Sequence, residues 1–399
     1  MFAKKWRAGD FRIGVLYPKM NGWLGGAKYV RMLIGSLAGV RAGADPELYV
    51  LSEEENLTED FARKVTVLPV EAPHYRRGEM RLRRLCGLSD KSALLSTARQ
   101  HQISVLLPVQ TPLPPAADLQ TIGWIPDFQH LFLPQFFSRE MREYRDQAFR
   151  LLARQCALVM LSSRNAVEHF VRFAPEQAHK ARLLSFPSRF AFEPPPAKIV
   201  DARQKFRIPE KFALVVNQFW RHKNHEVVIE AVRLLWSRGI RLHLVLVGVP
   251  ADYRDSRNET TSRLLQSVAM AGIAQTTTIL GMVTDAELTD LLRSAAVIVQ
   301  PSRFEGWSTV VQECKALGRP LICSDIPIHR EQAPDALGFF PCERPDVLAD
   351  LLSATWPDLN PGPDAAAERK ALAAEREFGR CHGQALLKIC EEAHAVRQP

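Results

Sequence analysis

The stretch Ala295–Ser324, A-A-V-I-V-Q-P-S-R-F-E-G-W-S-T-V-V-Q-E-C-K-A-L-G-R-P-L-I-C-S, decides the fold class of this chain. Its β-branched run, 297–299, predicts a short strand, and the loop that follows contains Pro301 and Gly306. A helical pattern comes next, and a second apolar run, 321–323, follows it directly. Strand, loop, helix and strand in this order predict a β-α-β unit of a parallel sheet.

The helix of this unit is predicted from apolar residues that recur at helical spacing between 310 and 317. Thr309 followed three residues later by Gln312 matches a capping box at its start, and Gly318 is placed to end it. The same helix carries Glu313 in its predicted first turn, while Glu305 lies in the preceding loop.

Both glutamates are expected to face the crevice at the carboxyl ends of the strands, where open α/β sheets bind ligands. A helix N-terminus there offers N–H groups to a phosphate, and a carboxylate beside it can accept two sugar hydroxyls. The alternative is that Glu313 only complements the helix dipole and that Glu305 is a solvated loop charge.

The spacing of Glu305 and Glu313 inside P-S-x-x-E-G-W-S-T-V-V-Q-E, with G-R-P-L-I after it, resembles the signature of family 4 retaining glycosyltransferases. The resemblance implies the α/β GT-B fold: two Rossmann-like domains facing each other across a cleft, with a C-terminal helix crossing back. It also implies that Glu305 contacts the donor sugar and that Glu313 holds the ribose. The donor diphosphate is then expected on the helix start, at Gly306, Trp307, Ser308, Thr309 and Val310.

Length and composition fit a globular protein of two domains, with 399 residues, 46% hydrophobic and 24% charged. There is no run of eighteen apolar residues, so we expect no membrane-spanning helix. The charged N-terminus and the short apolar stretch at 13–17 do not match a secretory signal. We therefore expect a cytoplasmic protein, possibly peripheral at the inner face of the plasma membrane.

Neither the cysteines nor the acidic residues indicate a metal site. Seven cysteines form no C-x-x-C pair, and no two aspartates stand at D-x-D spacing. We expect a metal-independent reaction without a cofactor, in which a nucleotide diphosphate sugar is the donor substrate.

The net charge of +8 is concentrated in the first half of the chain. Residues 1–200 contain 28 Lys and Arg against 19 Asp and Glu, whereas residues 201–399 contain 24 against 25. A basic surface predicts an anionic partner, such as a membrane surface or a lipid-linked glycan acceptor. The densest basic run, 75–84, is either such a patch or a solvated face. No nucleic-acid-binding module accompanies the charge, so we expect no nucleic acid.

Two features of the first half are candidate site elements. Gly25 and Gly26 lie in a loop between a strand at 11–17 and a helix predicted from about Lys28, and glycine allows close backbone approach to a ligand. They are either structural or, as the resemblance implies, set against the donor diphosphate.

Asp127 and His130 follow an apolar strand that begins at Thr121. They are candidate catalytic groups that orient or deprotonate the acceptor, although a lone histidine is more often structural. The aromatic residues between 128 and 137 are either an apolar surface near the same mouth or part of the core.

The proline-bearing stretch 191–209 predicts a linker between an acceptor-binding domain, 1–190, and a nucleotide-sugar-binding domain, 210–375. A helix from about Ala365 to Val396 is expected to end the chain, with 376–399 packing back towards the first domain.

A basic loop after the strand 212–216 can stabilise a diphosphate leaving group. Lys223 matches the phosphate-gripping lysine of the family that the chain resembles. Gln218 stands where that family has arginine, so either Arg221 swings in or one cation acts with the Gln218 amide.

A further loop is expected to hold the nucleobase through the backbone groups of Gly281, Met282 and Val283, as the resemblance implies. Thr284 and Glu287 match a second capping box directly after it.

Together these features predict a glycosyltransferase that acts with retention in surface polysaccharide, lipopolysaccharide or lipid-linked glycan synthesis. A non-catalytic GT-B subunit that binds a partner transferase or a membrane is the alternative, and Gln218 favours it. A sugar-nucleotide epimerase shares the fold but not the glutamate spacing. The sugar, nucleobase, acceptor, linkage and oligomeric state cannot be predicted from these residues.

Overall fold

The computed structural model describes residues 11–17, 24–40, 46–52, 65–70, 91–114, 116, 118–195, 201–249 and 259–396. The chain divides into two compact units, each built on one parallel sheet. Unit 1 comprises Met1–Pro126, Glu143–Phe186 and Gly379–Pro399, and unit 2 comprises Asp127–Arg142 and Pro187–Phe378. The domain boundaries predicted from the sequence stay predictions, and the two units differ from them in placing Asp127–Arg142 with unit 2.

Unit 1 contains a seven-stranded sheet in the order β3-β2-β1-β4-β5-β6-β7, with every pair parallel. Strands β4 and β6 are buried along their whole length, as is typical of parallel strands covered on both faces. The strands are β1 (Arg12–Tyr17), β2 (Glu47–Ser52), β3 (Thr66–Pro69), β4 (Val105–Val109), β5 (Gln120–Trp124), β6 (Leu158–Leu161) and β7 (Ala181–Leu183).

The helices in this part of the chain are α1 (Leu24–Val40), α2 (Ser92–Gln100), α3 (Gln129–Phe132), α4 (Arg139–Gln155) and α5 (Arg164–Phe173). Helix α5 begins at a serine cap, because the Ser163 side chain accepts a hydrogen bond from Ala166 N–H at 3.0 Å.

Helix α1 begins at Leu24, four residues before the predicted start, so Gly25 and Gly26 lie in its first turn and not in a loop. The sequence predicts both glycines in the loop before the helix, where glycine allows close backbone approach to a ligand. Each costs only about 1 kcal/mol relative to alanine in a helix, and burial of Tyr29, Val30 and Leu33 on the same helix outweighs that cost. The basic run 75–84 lies outside the described residues.

Unit 2 contains a six-stranded parallel sheet in the order β10-β9-β8-β11-β12-β13. Its strands are β8 (Phe212–Val216), β9 (His243–Val247), β10 (Thr277–Gly281), β11 (Val297–Gln300), β12 (Leu321–Ser324) and β13 (Gly338–Phe340). The helices that follow in the chain are α6 (Ala202–Phe206), α7 (His225–Ser237), α8 (Glu259–Met270), α9 (Asp285–Ser294), α10 (Thr309–Ala316), α11 (Pro327–Gln332), α12 (Pro345–Thr355) and α13 (Ala365–Ala395). The predicted β-α-β unit is confirmed as β11, α10 and β12.

The core of unit 2 has two sides, because successive side chains of a strand point to opposite faces of the sheet. Ala213 and Val215 of β8 pack in one cluster with residues of α7, α8 and α12. Phe212, Leu214 and Val216 pack in the other, with residues of α6, α9 and α10. The sheet is therefore covered on both faces, which explains why β8 and β11 are continuous apolar runs.

Helix α6 lies inside the stretch that the sequence predicts to be a linker. Its first residue, Ala202, is fully buried, and the Asp290 carboxylate accepts a hydrogen bond from Ala202 N–H at 2.9 Å. The residues next to α6 on the N-terminal side, 196–200, lie outside the described residues.

The predicted last helix is confirmed as α13, whose residues up to Phe378 belong to unit 2 and whose later residues belong to unit 1. Within unit 1, His382 Nδ1 lies 2.7 Å from Ser36 Oγ on α1. Burial lowers the pKa of His382 to about 3. None of the helices in the described ranges combines the length and apolar content needed to cross a membrane.

Candidate functional site

The candidate site lies where the strand order of unit 2 reverses. Strands β9 and β10 lie beyond β8 on one side, and β12 and β13 lie beyond β11 on the other. Ligands of open α/β sheets bind at the carboxyl ends of strands at this point. The segments that leave the two central strands, 217–224 and 301–308, therefore form the candidate site.

A partly buried ion pair joins these two segments. Lys223 Nζ lies 2.6 Å from Glu305 Oε1, with side chains that are 15% and 9% exposed. Lys223 ends a 3-10 turn at Arg221–Lys223, and Asn224 after it adopts a left-handed backbone with φ of 56°. The two residues that the sequence analysis predicted to act on the leaving group and the donor sugar are thus in direct contact.

Gln300, the last residue of β11, connects the pair to the strand ends and is fully buried. Its Nε2 donates to Glu305 Oε1 and to Ser308 Oγ, both at 3.1 Å. Its Oε1 accepts from Asn217 Nδ2 at 2.8 Å, immediately after β8. The sequence analysis missed Gln300, although an amide at the end of the apolar run V-I-V-Q was a signal for it.

Arg303 holds the two segments together through the backbone. Its N–H donates to the His222 carbonyl at 2.8 Å, and its Nη1 donates to the Arg221 carbonyl at 3.1 Å. Its guanidinium also pairs with Glu343 at 2.8 Å. These contacts fix the position of the loop that carries Lys223 relative to the loop that carries Glu305.

The N-terminus of α10 differs from the prediction in its cap. Ser308, not Thr309, is the N-cap and accepts from Val311 N–H at 3.3 Å. The Gln312 side chain does not close a capping box, because it is buried and donates to Glu375 Oε2 at 2.8 Å. Ser308 N–H donates to Gln332 Oε1 at 3.0 Å.

The N–H groups of Thr309 and Val310 stand at the first two positions of α10, where a helix provides no internal acceptor. They are the backbone donors that this helix start can offer to an anion. Gly306 and Trp307 lie in the loop before them and are half-buried.

Glu313 lies one residue beyond the first turn of α10 and is 2% exposed. Its Oε1 is 3.5 Å from Arg189 Nε. Arg189 comes from the segment directly before the predicted linker, and the sequence analysis did not identify it. The predicted shared orientation of Glu305 and Glu313 stays a prediction.

His329 is a second buried group that the sequence analysis missed. Its side chain is fully buried on α11, and its Nδ1 lies 3.0 Å from Ser324 Oγ. Ser324 Oγ in turn donates to the Ser302 carbonyl at 2.5 Å. Burial lowers the pKa of His329 to about 4, with Glu305 acting in the opposite direction and Lys223 in the same one. The imidazole is therefore neutral at pH 7.

The segment predicted to hold a nucleobase follows β10. Gly281 has a φ of 65°, and its carbonyl accepts from Gly248 N–H at 2.9 Å. Met282 is 71% exposed, and Val283 packs against the core. The predicted capping box that starts α9 is confirmed, with the Thr284 and Glu287 side chains each accepting from the other residue's backbone N–H.

Arg221 packs against an aromatic ring, and the prediction that it swings in for the arginine absent at Gln218 stays a prediction. Its Cζ lies 5.2 Å from the centre of the Phe136 ring. The Gln218 carbonyl accepts from Trp220 N–H at 2.7 Å.

Asp127 and His130 fall in unit 2, where Asp127 lies in the loop after β5 as predicted and His130 does not. Asp127 Oδ1 accepts from Gln129 N–H at 2.9 Å at the start of α3. His130 is on α3 and only 1% exposed, because the apolar residues around it fold this segment into a helical turn.

The aromatic residues of this segment divide between core and surface. Phe128 and Phe137 are buried, whereas Phe132 is 46% exposed and stacks on Phe304 with ring centres 5.6 Å apart.

The remaining predicted site residues, Gly25 and Gly26, belong to unit 1. Among the described residues, no group of three or more His, Cys, Asp or Glu side chains is placed to hold a metal ion. Metal independence stays a prediction.

Comparison with known proteins agrees with the geometry of unit 2. Residues 199–354 match the family Glycosyl transferases group 1. The mannosylfructose-phosphate synthase of Agrobacterium fabrum is 29% identical over 124 residues, which are 30% of this chain and 26% of that protein. The O-antigen chain mannosyltransferase B of Escherichia coli is 27% identical over 143 residues, which are 35% of this chain and 36% of that protein. The chain thus spans well under half the length of these relatives.

Among solved structures, that of Anabaena Alr3699/HepE in complex with UDP-glucose superposes with a TM-score of 0.62 at 15% identity, covering 96% of this chain and 98% of that one. The predicted fold class, GT-B with two parallel-sheet Rossmann-like domains, is confirmed.

Proposed function

We propose that this chain is a retaining glycosyltransferase that transfers a hexose-type sugar from a nucleotide diphosphate sugar to an acceptor hydroxyl. The observation that carries the proposal is the partly buried ion pair of Lys223 and Glu305 at the switch point of unit 2. The group 1 family match over 199–354 and the structural likeness to a protein that binds UDP-glucose support it.

In the proposed reaction, Lys223 and the amides of Thr309 and Val310 stabilise the charge that develops on the leaving diphosphate. Glu313 accepts hydrogen bonds from the ribose hydroxyls, and Glu305 contacts the donor sugar. The segment 281–283 holds the nucleobase through its backbone. The reaction needs no metal ion under this proposal, because Lys223 and the helix start supply the positive potential.

The proposal also assigns residues to the acceptor. Asp127 is the proposed acceptor-orienting carboxylate, and a role for His130 requires α3 to move, because that side chain is buried. We place the acceptor in surface polysaccharide, lipopolysaccharide or lipid-linked glycan synthesis, and one relative is named for O-antigen chain synthesis. The excess of basic residues in 1–200 favours contact with an anionic membrane surface.

Nucleotide binding is tested by thermal shift with UDP, GDP, TDP, ADP and CMP, with and without magnesium. Wild type is expected to be stabilised by one diphosphate regardless of magnesium, by about 2.7 kcal/mol at 100 times Kd. Lys223→Ala is expected to lose this shift. Lys211→Ala is the matched control, since Lys211 is also in unit 2 but binds the Trp356 carbonyl at 2.6 Å.

Transfer is tested with the nucleotide sugars of the base that binds, by following diphosphate release and the anomeric configuration of the product by proton NMR. Glu305→Ala is expected to bind nucleotide and to lose transfer. Nucleotide binding by wild type without any transfer would favour the alternative of a non-catalytic subunit.

Membrane contact is tested separately by co-sedimentation with vesicles of neutral or anionic lipid. Binding that does not depend on anionic lipid would remove the membrane part of the proposal and leave the transfer reaction untouched.

A further inference from the structure

Arg189 of unit 2 places a positive charge against the buried Glu313 carboxylate. The residue begins a 3-10 turn, Arg189–Ala191, and its side chain is 19% exposed. Its Nε lies 3.5 Å from Glu313 Oε1, on a carboxylate that is itself 2% exposed. A buried carboxylate needs a nearby counter-charge, and this guanidinium provides one.

The same guanidinium is fixed in orientation by α9. Its Nη2 donates to Thr289 Oγ1 at 2.7 Å and to the Asp285 carbonyl at 3.2 Å, and its Nη1 lies 3.5 Å from the Asp285 carboxylate. Its Cζ lies 4.8 Å from the centre of the Phe190 ring. Helix α9 follows the proposed base-binding segment 281–283 in the chain, so the Arg189 side chain joins the first turns of this helix to Glu313.

The backbone of this segment is held independently of the Arg189 side chain. Ser188 N–H donates to Glu375 Oε1, and the other oxygen of Glu375 accepts from Gln312 Nε2 at 2.8 Å on α10. Truncating Arg189 therefore removes the guanidinium while these backbone contacts remain.

We propose that Arg189 is a positioning residue for recognition of the ribose, and this inference rests on the proposed function. By holding one oxygen of Glu313 from a fixed point on α9, it orients the carboxylate so that the diol of a ribonucleoside diphosphate can donate to it. An acceptor that is already oriented contributes more to the binding free energy than a mobile one, because no entropy is lost in ordering it when the ligand binds.

The test compares each of UDP, GDP and ADP with its 2′,3′-dideoxy counterpart by calorimetry, on the full chain. Each charge-assisted hydrogen bond contributes about tenfold, so wild type is expected to prefer the ribose form of the base that binds by about 100-fold. Arg189→Ala is expected to reduce this preference to about tenfold or less, because Glu313 is no longer oriented. The preference is a ratio, so a general loss of stability does not change it.

Arg293→Ala is the matched control. Arg293 lies on α9, the helix that Arg189 contacts, and it is 13% exposed and pairs with Glu368 at 2.5 Å. It is expected to be less stable than wild type and to keep the full ribose preference. Arg189→Lys, which retains the charge without the fork of donors, is expected to recover part of the preference.

The outcomes separate the two proposals. If wild type binds a ribonucleoside diphosphate and Arg189→Ala keeps the same ribose preference, the role of Arg189 is overturned while the proposed function stands. If wild type binds none of these three and no other diphosphate of the thermal-shift panel, the proposed function is overturned, and the role of Arg189 with it. Binding of TDP alone, which lacks the ribose diol, would overturn only the role of Arg189.

Discussion

Removing one charge from the Lys223 and Glu305 pair is expected to destabilise the chain, whereas removing both is expected to restore most of the loss. Breaking a fully buried pair costs about 3–5 kcal/mol, because the remaining charge has no partner. The Lys223 and Glu305 side chains retain 15% and 9% of their exposure, and Gln300 Nε2 stays 3.1 Å from Glu305 Oε1. We therefore expect Lys223→Met to lower the free energy of unfolding by about 2 kcal/mol.

For a unit of this size, about 2 kcal/mol corresponds to a fall in Tm of about 4–8 °C. Glu305→Gln is expected to cause a similar fall, because it leaves the Lys223 ammonium without its carboxylate. The double variant carries no charge at either position, so its Tm is expected within about 2 °C of wild type. Wild type, the two single variants and the double variant are compared by their free energies of unfolding in urea at pH 7. The coupling energy between the two sites is calculated from this double-mutant cycle.

The same four proteins separate stability from function. The double variant is expected to be stable and still to show no nucleotide-dependent thermal shift, because the leaving diphosphate has lost its cation. If the double variant instead lost the sum of the two single losses in free energy of unfolding, the two side chains would not be coupled and the prediction would be refuted. A nucleotide shift that survives in the double variant would refute the role given to Lys223.

Two further predictions concern a close backbone contact at Gly248 and the pH dependence of stability at His382. Gly248→Ala is expected to lower Tm and to weaken nucleotide binding, because an added Cβ would lie 1.8 Å from the Asn217 carbonyl beside β8; Gly39→Ala, where nothing lies within 4 Å, is the control and should be neutral or stabilising. His382 has a folded pKa near 3 and an ordinary unfolded value, so its stability contribution is present above about pH 6.5 and is lost as the pH falls. Between pH 7 and pH 5 the loss for His382 is about 2 kcal/mol, and His382→Gln should show a correspondingly smaller loss in urea unfolding; an equal loss in both proteins would contradict it.

The bounds of the central strands could be predicted closely from the sequence, because burial on both faces requires an unbroken run of apolar residues. Strand β8 has the predicted bounds, Phe212–Val216, since a strand covered on both faces is one unbroken apolar run. The capping box at Thr284 is equally local, because its partners lie three residues apart.

Elements that are only partly buried were harder to recognise. Helix α4, Arg139–Gln155, buries Ala148, Phe149, Leu152 and Ala153 late in a strongly charged sequence, and the sequence analysis did not identify it. Strand β13 has only three residues, which is too short for a period-2 pattern to be read.

The residues of the candidate site also differ in how far they could be predicted from the sequence. Glu305, Glu313 and Lys223 stand in local patterns and could be found, whereas Arg189 and His329 reach the site only through tertiary folding. Thr309 was chosen as the helix cap because it also matched the pattern. The structure favours Ser308, since Gln312 is drawn into the buried contact with Glu375.

The buried amide of Gln300 bears on how a donor could enter the site. Lys223 and Glu305 neutralise each other in this structure, so the lysine can serve a diphosphate fully only if it shares or gives up the carboxylate. A carboxylate that loses its lysine in a buried setting is costly unless another donor holds it. Gln300 Nε2 already donates to the Glu305 oxygen that Lys223 contacts. The Gln300 side chain is itself held by Asn217, whose Nδ2 donates to Gln300 Oε1. Under the proposed function, Gln300 can therefore keep Glu305 in place while Lys223 turns to the phosphate, and the other oxygen of Glu305 is then free to accept from the donor sugar.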